Sequence, residues 1–263
     1  MTASMDLMRT CPVCSNPATA YVGELSNTKI APLERTEYNL VQCQECDIVY
    51  LSPLPTTRDL DILYVDELQF DYHDNEHARL IVDFMANRLR AVLARMKATD
   101  VNAVLEIGAG PAWMARAAKQ VSPQARTVAQ DITKEVADKC PWVDHYIVAS
   151  ADDQRLDSLG PYDVISLTHV IEHLPDPGAM LRRLRPLTRG MIFMTAPHRP
   201  VRWDGTIDSW RKYSYNHVPA HLQYFSDRGM RRMAEAAGFK IAFWDATSEE
   251  GQAFETWLEP DPV

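Results

Sequence analysis

The sequence predicts an α/β fold in which a doubly wound, mostly parallel sheet follows a small cysteine-rich module at the N-terminal end. Two observations support this. Short apolar runs alternate with helical patterns from about residue 100 to 245, as in successive βαβ units. Two Cys-x-x-Cys pairs, Cys11/Cys14 and Cys43/Cys46, stand before them in a stretch too short to bury a large core.

Length and composition fit a globular chain of one ordinary domain plus an appendage. The chain has 263 residues, of which 46% are hydrophobic and 24% charged. No apolar run is long enough to span a bilayer, so we expect no membrane association and a cytoplasmic location. The net charge of −9 disfavours nucleic acid, because binding a phosphate backbone needs clustered lysine and arginine.

The four paired cysteines predict a tetrahedral zinc site, with Cys11, Cys14, Cys43 and Cys46 as ligands. Each knuckle presents two sulfurs to one ion, and the 28 residues between the pairs can hold two strands. The alternatives are unrelated thiols or disulfides. No secretory signal precedes the cysteines, so we expect a reducing compartment, which disfavours disulfides. Four thiolates leave no open coordination position, which favours a structural Zn²⁺ over a module that covers substrate or binds a partner.

A helical connector separates the module from the sheet. Ser52–Pro55 breaks regular structure, and Thr56 or Thr57 can cap a following helix. A second pattern, from His77 to Lys97, carries apolar residues largely at spacings of 3, 4 and 7, which predicts an amphipathic helix packed on the sheet. The predicted domains are therefore a module at 1–52, a connector that covers a ligand site at 53–100, and a sheet domain at 101–263.

The run from Val104 to Trp113 predicts a buried strand that passes through a tight Gly-x-Gly turn into a helix. Glycine lacks a Cβ and tolerates positive φ, so such a turn lets a nucleotide approach the backbone. The next apolar run ends at Asp131, 21 residues after Gly110, where doubly wound folds place the acid that binds ribose hydroxyls. These features also fit a nicotinamide-binding protein.

Three more strand candidates follow, at His145–Val148, Tyr162–Leu167 and Met191–Met194. Ligands of such sheets bind at the carboxyl ends of the strands. We therefore expect the residues after Leu167, in particular Thr168 and His169, to lie near the reaction centre.

At this point residues 100 to 245 resemble class I S-adenosylmethionine-dependent methyltransferases. The resemblance is carried by Val104–Gly110, Asp131, Asp152–Asp153 and Tyr162–Pro177, and the chain departs from it at Ala112, where a third glycine often stands. It implies a Rossmann-like, doubly wound sheet of seven strands and S-adenosylmethionine as cofactor. Glu106 before the turn and the His-x-x-Glu-His segment favour this family over nicotinamide-binding proteins.

The resemblance implies roles for individual residues. The glycine turn would let the backbone pass the cofactor, Asp131 would accept hydrogen bonds from the ribose, and Ile132 would pack on the adenine. An acid of the pair Asp152–Asp153 would lie near the exocyclic amine, Glu106 would order the turn, and Tyr72 would close over the methionine end. The predicted cofactor-binding residues are Tyr72, Glu106, Gly108, Ala109, Gly110, Trp113, Asp131, Ile132, Asp152, Asp153, Thr168 and His169.

Catalysis by such an enzyme depends first on alignment, because the sulfonium already activates the methyl group. A base is needed only when the acceptor loses a proton, and His169 and His173 are the leading candidates, with capping or loop-holding as the alternative. The span 198–225 is too long for a simple connection and predicts a substrate lid, or otherwise an aromatic cluster that covers the sheet. It adds His198 and His217 as further catalytic candidates.

The predicted function is methyl transfer to oxygen, nitrogen or carbon of a small molecule, hypothetically in specialised metabolism. An RNA-modifying enzyme with a zinc module is the main alternative, and the acidic charge and Leu167–Val170, in place of an Asn/Asp-Pro-Pro-Tyr/Phe segment, disfavour it. A non-catalytic zinc adaptor is disfavoured by the intact turn. A zinc peptidase built on His169-x-x-Glu172-His173 is disfavoured because Pro175 would stop the helix it needs. The oligomeric state stays open.

Overall fold

The computed structural model describes residues 8–27, 33–66, 75–134, 136–246 and 253–262. Its strands are β1 (Thr19–Ser26), β2 (Glu37–Cys43), β3 (Val49–Ser52), β4 (Ala103–Ile107), β5 (Arg126–Asp131), β6 (His145–Val148), β7 (Tyr162–Thr168), β8 (Thr188–Pro197), β9 (Gln223–Tyr224), β10 (Phe239–Asp245) and β11 (Ala253–Pro260). Its α-helices are α1 (Thr57–Asp61), α2 (Glu76–Met96), α3 (Trp113–Val121), α4 (Arg155–Ser158), α5 (Pro177–Leu184), α6 (Ile207–Arg211) and α7 (Asp227–Ala236).

Seven strands form the large sheet, in the order β10-β11-β8-β7-β4-β5-β6. The strands from β8 to β6 pair in parallel, whereas β11 runs antiparallel to both β8 and β10. This is the doubly wound, mostly parallel, Rossmann-like sheet that the sequence predicted. None of the helices in the described ranges has both the length and the apolar composition required to cross a bilayer.

Helices cover both faces of this sheet, which explains why its central strands read as continuous apolar runs. Every residue of β4 is buried. On one face Val92 of α2 and Met114 of α3 pack in one apolar cluster. On the other face Leu181 of α5 and Met230 of α7 belong to a second cluster. The long helix α2 begins after the cap Asn75 and ends at Lys97 in left-handed conformation, within one residue of its predicted bounds.

The small sheet has the order β1-β2-β3-β9, and its fourth strand comes from Gln223–Tyr224, in the span predicted as a lid. Trp210 and Tyr224 are fully buried there, in a cluster with Tyr38 of the module. This part of the span is therefore an aromatic cluster that joins the module. A boundary at residue 52 stays a prediction, since the sheet of the module is not built from residues 1–52 alone.

Helix α7 connects the cysteine module to the large sheet. Its N-cap Ser226 accepts a hydrogen bond from the Gly229 amide, and its hydroxyl donates to the Cys46 carbonyl at 2.6 Å. At Gly229 an added Cβ would lie 2.2 Å from Cγ2 of Ile48, whose side chain is fully buried. Glycine at this position allows the helix to approach the module closely.

We predict that Gly229→Ala destabilises the protein by about 1–3 kcal/mol, although alanine is the better helix former, because the methyl group overpacks the contact with Ile48. Urea unfolding monitored by circular dichroism measures the change. The control Glu235→Ala, at an exposed position of the same helix, should stay within about 0.5 kcal/mol of wild type. A Gly229→Ala protein as stable as wild type would contradict the close packing.

Candidate active site

The glycine turn follows β4 and has the backbone conformation that the sequence predicted. Gly108 and Gly110 have φ of +58° and +47°, and a Cβ on Gly108 would lie 2.4 Å from Val170 Cγ2. The amide of Ala109 donates to the Gln130 carbonyl at 2.8 Å, which joins the turn to β5. Ala112, at the position of the missing third glycine, also has positive φ, at +55°, which costs about 1 kcal/mol for an L-residue.

Glu106 lies beneath the turn. Its carboxylate accepts hydrogen bonds from the amides of Met114 and Ala115, at 3.2 and 3.0 Å, and the residue is 5% exposed. Burial nevertheless raises the pKa of Glu106 to about 7. The structure therefore places Glu106 where it orders the start of α3, with its side chain away from solvent.

Asp131 lies at the carboxyl end of β5 and holds the turn in place. Its Oδ2 accepts a hydrogen bond from the Gly110 amide at 2.7 Å, and its Oδ1 accepts two from Thr133 at 2.9 Å. A carboxylate offers about four acceptor positions, so about one stays available for a ligand hydroxyl. The next residue, Ile132, is 40% exposed, which is unusual for an isoleucine beside a buried strand.

The structure distinguishes the two acids after β6. Asp153 binds the amide and the guanidinium of Arg155 at 2.8–3.0 Å, and the bond to that side chain lowers the pKa of Asp153 to about 2. Asp152 is exposed and accepts a hydrogen bond from Ser150.

Trp113 stacks on Trp142 with ring centroids 5.8 Å apart. Tyr72 lies outside the described residues.

A cavity of about 580 Å³ opens at the carboxyl ends of β7 and β8. Thr168, His169 and Thr195 line its floor, and apolar side chains of α2 and β11 line much of the rest, including Leu80, Phe84 and Phe254. The Thr195 hydroxyl is buried and makes no hydrogen bond within the described ranges. The cavity therefore has a largely apolar lining, with the polar groups of Thr168, His169 and Thr195 on one side and His77, Asp245 and Glu255 elsewhere along it.

Two of the four histidines predicted as catalytic candidates, His169 and His173, lie beside a buried carboxylate, and a third, His217, is linked to them through His221. Glu172 is 0% exposed, and its Oε1 lies 3.2 Å from His169 Nδ1 and 3.9 Å from His173 Nε2. The ring of His217 lies 5.0 Å from that of His221, which in turn lies 5.1 Å from His173. The fourth candidate, His198, lies against Trp244 instead, 6.0 Å away between ring centroids.

Burial and charge fix the protonation of this cluster. Burial alone would raise the pKa of Glu172, but the hydrogen bond from His169 and the neighbouring imidazoles outweigh it and hold the pKa below its ordinary value. Burial lowers the pKa of His221 to about 3, so this imidazole is neutral at neutral pH. An ionised carboxylate only accepts hydrogen bonds, so Nδ1 of His169 carries the proton and its Nε2 can accept one.

The sequence predicted no catalytic or binding role for Glu172, and Tyr215 and His221 counted only among the aromatic and histidine residues of the predicted lid 198–225. Glu172 is the central acid of the His-x-x-Glu-His segment, which was a signal for it. The Tyr215 hydroxyl lies 3.2 Å from His169 Nδ1 across 46 residues of chain. No local pattern marks Tyr215 or His221, because they reach the cluster only through the path of the span 198–225.

The four paired cysteines converge as their spacing predicted. Their sulfurs all lie within 4.8 Å of one another, with 3.5 Å between Cys11 and Cys46 and between Cys14 and Cys43. Zinc bonds of about 2.3 Å in a tetrahedron require sulfur separations of about 3.8 Å. The donor set and its spacing therefore fit a zinc ion.

Comparison with known proteins matches residues 81–242, more than half of the chain, to the family model of a methyltransferase domain. The ubiquinone biosynthesis O-methyltransferase of Aeromonas salmonicida (strain A449) is 26% identical over 102 residues, which cover 36% of this chain and 43% of that protein. The match thus spans less than half the length of this curated relative.

Solved structures share the fold at low identity. An O-methyltransferase family protein from Burkholderia thailandensis superposes with a TM-score of 0.54 at 14% identity, over 78% of this chain and 60% of that one. The plantazolicin methyltransferase BpumL, in complex with a monoazolic desmethylPZN analog and SAH, superposes with a TM-score of 0.52 at 14% identity, over 73% of this chain and 88% of that one. A chain of the Haloferax volcanii complex between the Trm112 methyltransferase activator and the putative methyltransferase superposes with a TM-score of 0.52 at 15% identity, over 71% of this chain and 94% of that one.

We predict that Glu106 makes stability pH-dependent. Between about pH 4.5 and 7 the folded state keeps a proton that the unfolded chain has released, so the free energy of unfolding falls by up to roughly 3 kcal/mol as pH rises. Glu106→Gln cannot titrate and should flatten this dependence in urea unfolding at pH 5 and 7.5. Glu235→Gln, at an exposed position, should keep the wild-type dependence. Equal pH dependence in wild type and Glu106→Gln would contradict the assignment.

Proposed function

The chain belongs to the methyltransferase-domain family, and on that premise we propose that it transfers the methyl group of S-adenosylmethionine to a small-molecule acceptor. One observation carries the proposal. The glycine turn, Asp131 and the exposed Ile132 lie at the same edge of the sheet as the cavity floor of Thr168 and His169. A cofactor site and an acceptor site thus adjoin at the carboxyl ends of neighbouring strands, where doubly wound folds bind ligands.

The residues present fit the cofactor. The turn presents backbone without side chains at Gly108 and Gly110, and Asp131 can accept one further hydrogen bond, from one of the two ribose hydroxyls. Ile132 offers its exposed side chain to the adenine, and Asp152 rather than Asp153 is available for the exocyclic amine because Arg155 occupies Asp153. When bound, S-adenosylmethionine supplies a methyl group on an electrophilic sulfonium.

The acceptor cavity supports a partly apolar small molecule that carries a hydroxyl group. Leu80, Phe84 and Phe254 can pack on its apolar part, and the Thr195 hydroxyl, which makes no hydrogen bond to a described residue, can bind a polar group. His169 lines the cavity while Glu172 holds its Nδ1 proton, so its Nε2 can take the proton of an acceptor hydroxyl. The relative from Aeromonas salmonicida is named as an O-methyltransferase, which supports oxygen as the methylated atom.

We further propose that Zn²⁺ binds the four cysteines and stabilises the module. Four sulfur ligands close the coordination sphere, so the ion would act on folding and not on the acceptor. The module contacts the catalytic domain through α7 and β9, and loss of the ion should therefore weaken the whole chain.

The proposed reaction is tested with methyl-labelled S-adenosylmethionine and two matched extracts, one of small molecules and one of RNA. We expect label in the small-molecule fraction only. Asp131→Ala should weaken calorimetric binding of S-adenosylhomocysteine by roughly 1–3 kcal/mol, the scale of hydrogen bonds lost from a ligand, and should reduce transfer in parallel. The control Asp153→Ala should bind it within about twofold of wild type.

Label in RNA would overturn the small-molecule acceptor in favour of the RNA-modifying alternative. Binding of NADH without S-adenosylhomocysteine would overturn the cofactor. Unchanged affinity of Asp131→Ala would remove Asp131 from the cofactor site.

For the module, we predict that Cys43→Ser lowers bound zinc and the free energy of unfolding together, by roughly 2 kcal/mol or more, because one ligand of a folding-coupled ion is lost. Elemental analysis and urea unfolding measure the two effects. Cys140→Ser is the matched control, since Cys140 is buried outside the cluster. A Cys43→Ser protein with full zinc and wild-type stability would contradict the four-cysteine site.

A further inference from the structure

A second group of metal-ligating side chains lies beside the acceptor cavity. Glu172, His173 and His221 each offer one ligand atom, and these atoms lie within 4.8 Å of one another. They come from two distant parts of the chain, the turn after β7 and the loop before β9. We propose that this group, separate from the cysteines, binds a divalent transition-metal ion through two imidazoles and one carboxylate.

Unpartnered polar atoms carry the proposal. Glu172 is 0% exposed, and its Oε2 makes no hydrogen bond to any described residue. His221 is 6% exposed, and its Nδ1 likewise makes none within the described ranges. Buried polar groups in folded proteins are almost always hydrogen-bonded. Two buried atoms without a hydrogen bond in one cluster therefore indicate a missing partner that accepts electron pairs from both.

The tautomer of His173 is fixed by the backbone. Its Nδ1 lies 2.8 Å from the Ala220 carbonyl, which only accepts hydrogen bonds, so Nδ1 carries the proton. The lone pair is then on Nε2, which lies 3.9 Å from Oε1 of Glu172. A histidine that donates one ring N–H to a carbonyl and presents the other nitrogen is the usual arrangement of a metal-bound imidazole.

His169 and Glu172 complete the arrangement. His169 lies 3.2 Å from Oε1 of the carboxylate and orients it, as a residue behind a ligating carboxylate does in metal sites, and Oε2 makes no hydrogen bond to a described residue. Metal bonds of about 2.1 Å in a tetrahedron place ligand atoms about 3.4 Å apart, so atoms that lie within 4.8 Å of one another would approach by up to about 1.4 Å on binding the ion.

Two imidazoles and one carboxylate favour first-row ions such as Zn²⁺, Co²⁺, Fe²⁺ or Mn²⁺ over Ca²⁺, which prefers oxygen ligands. Three protein ligands leave coordination positions open, unlike the four cysteines. A role for the ion in the reaction rests on the proposed methyl transfer to oxygen. In that reaction the ion would bind the acceptor oxygen and lower the pKa of the acceptor hydroxyl, so that His169 can remove the hydroxyl proton.

Cobalt distinguishes the two sites by spectroscopy. The purified full chain, with its cysteine site filled with zinc, is titrated with Co²⁺. We expect visible d–d absorption that saturates near one ion per chain, without the near-ultraviolet sulfur-to-cobalt charge transfer that a four-cysteine site would give. Glu172→Gln and His221→Gln should each weaken this binding by tenfold or more. His145→Gln, at an exposed position on β6, is the matched control and should bind Co²⁺ as wild type does.

Circular dichroism of every variant shows which proteins are folded, and calorimetric binding of S-adenosylhomocysteine tests the cofactor separately, so the Co²⁺ test stays independent of the proposed reaction. Two results would overturn the site: no Co²⁺ binding beyond the cysteines, or equal binding by wild type and by a folded Glu172→Gln or His221→Gln protein. Failure of S-adenosylhomocysteine to bind wild type would instead refute the cofactor while leaving a Co²⁺ signal at this site intact.

Discussion

The side-chain amide of Gln223 is the contact on which both candidate sites depend. It is fully buried, and its Nε2 lies within 3.1 Å of the carbonyls of Ile171, Glu172 and Leu174. Its own backbone belongs to β9, which pairs with β3 of the cysteine module. One residue therefore fixes the turn that presents Glu172 and His173 and also attaches that turn to the module. A polar group buried this deeply stays only where all its hydrogen bonds are made.

This link gives the module a physical role beyond its own folding. The Leu222 amide donates to the Glu172 carbonyl, and the Leu51 amide of β3 donates to the Leu222 carbonyl at 3.0 Å. The same loop carries His221 into the cluster. The backbone from β3 to Glu172 is thus hydrogen-bonded through Leu222, and α7 contacts the module through the bond from Ser226 to Cys46.

Much of the fold was predictable because the responsible signals are local. The strand His145–Val148 was predicted with the bounds the structure gives, and α2 differs from its prediction by one residue at each end. A parallel sheet buried on both faces produces apolar runs that need no partner to be recognised. The role of residues 198–225 was harder to predict from the sequence. Its aromatic residues indicate burial, but only the assembled sheet shows that Tyr224 packs with Tyr38 and adds a strand to the module.

The sequence by itself determined the parts of the site that depend on short spacing: the glycine turn, the acid Asp131, and two cysteine knuckles whose sulfurs meet at 3.5 Å. Backbone conformation and knuckle geometry are set within a few residues, so the pattern is sufficient. Only the tertiary structure decided that His198 lies against Trp244 and that His221 joins Glu172. Such contacts depend on the path of loops and on burial, which leave no period or spacing in the sequence.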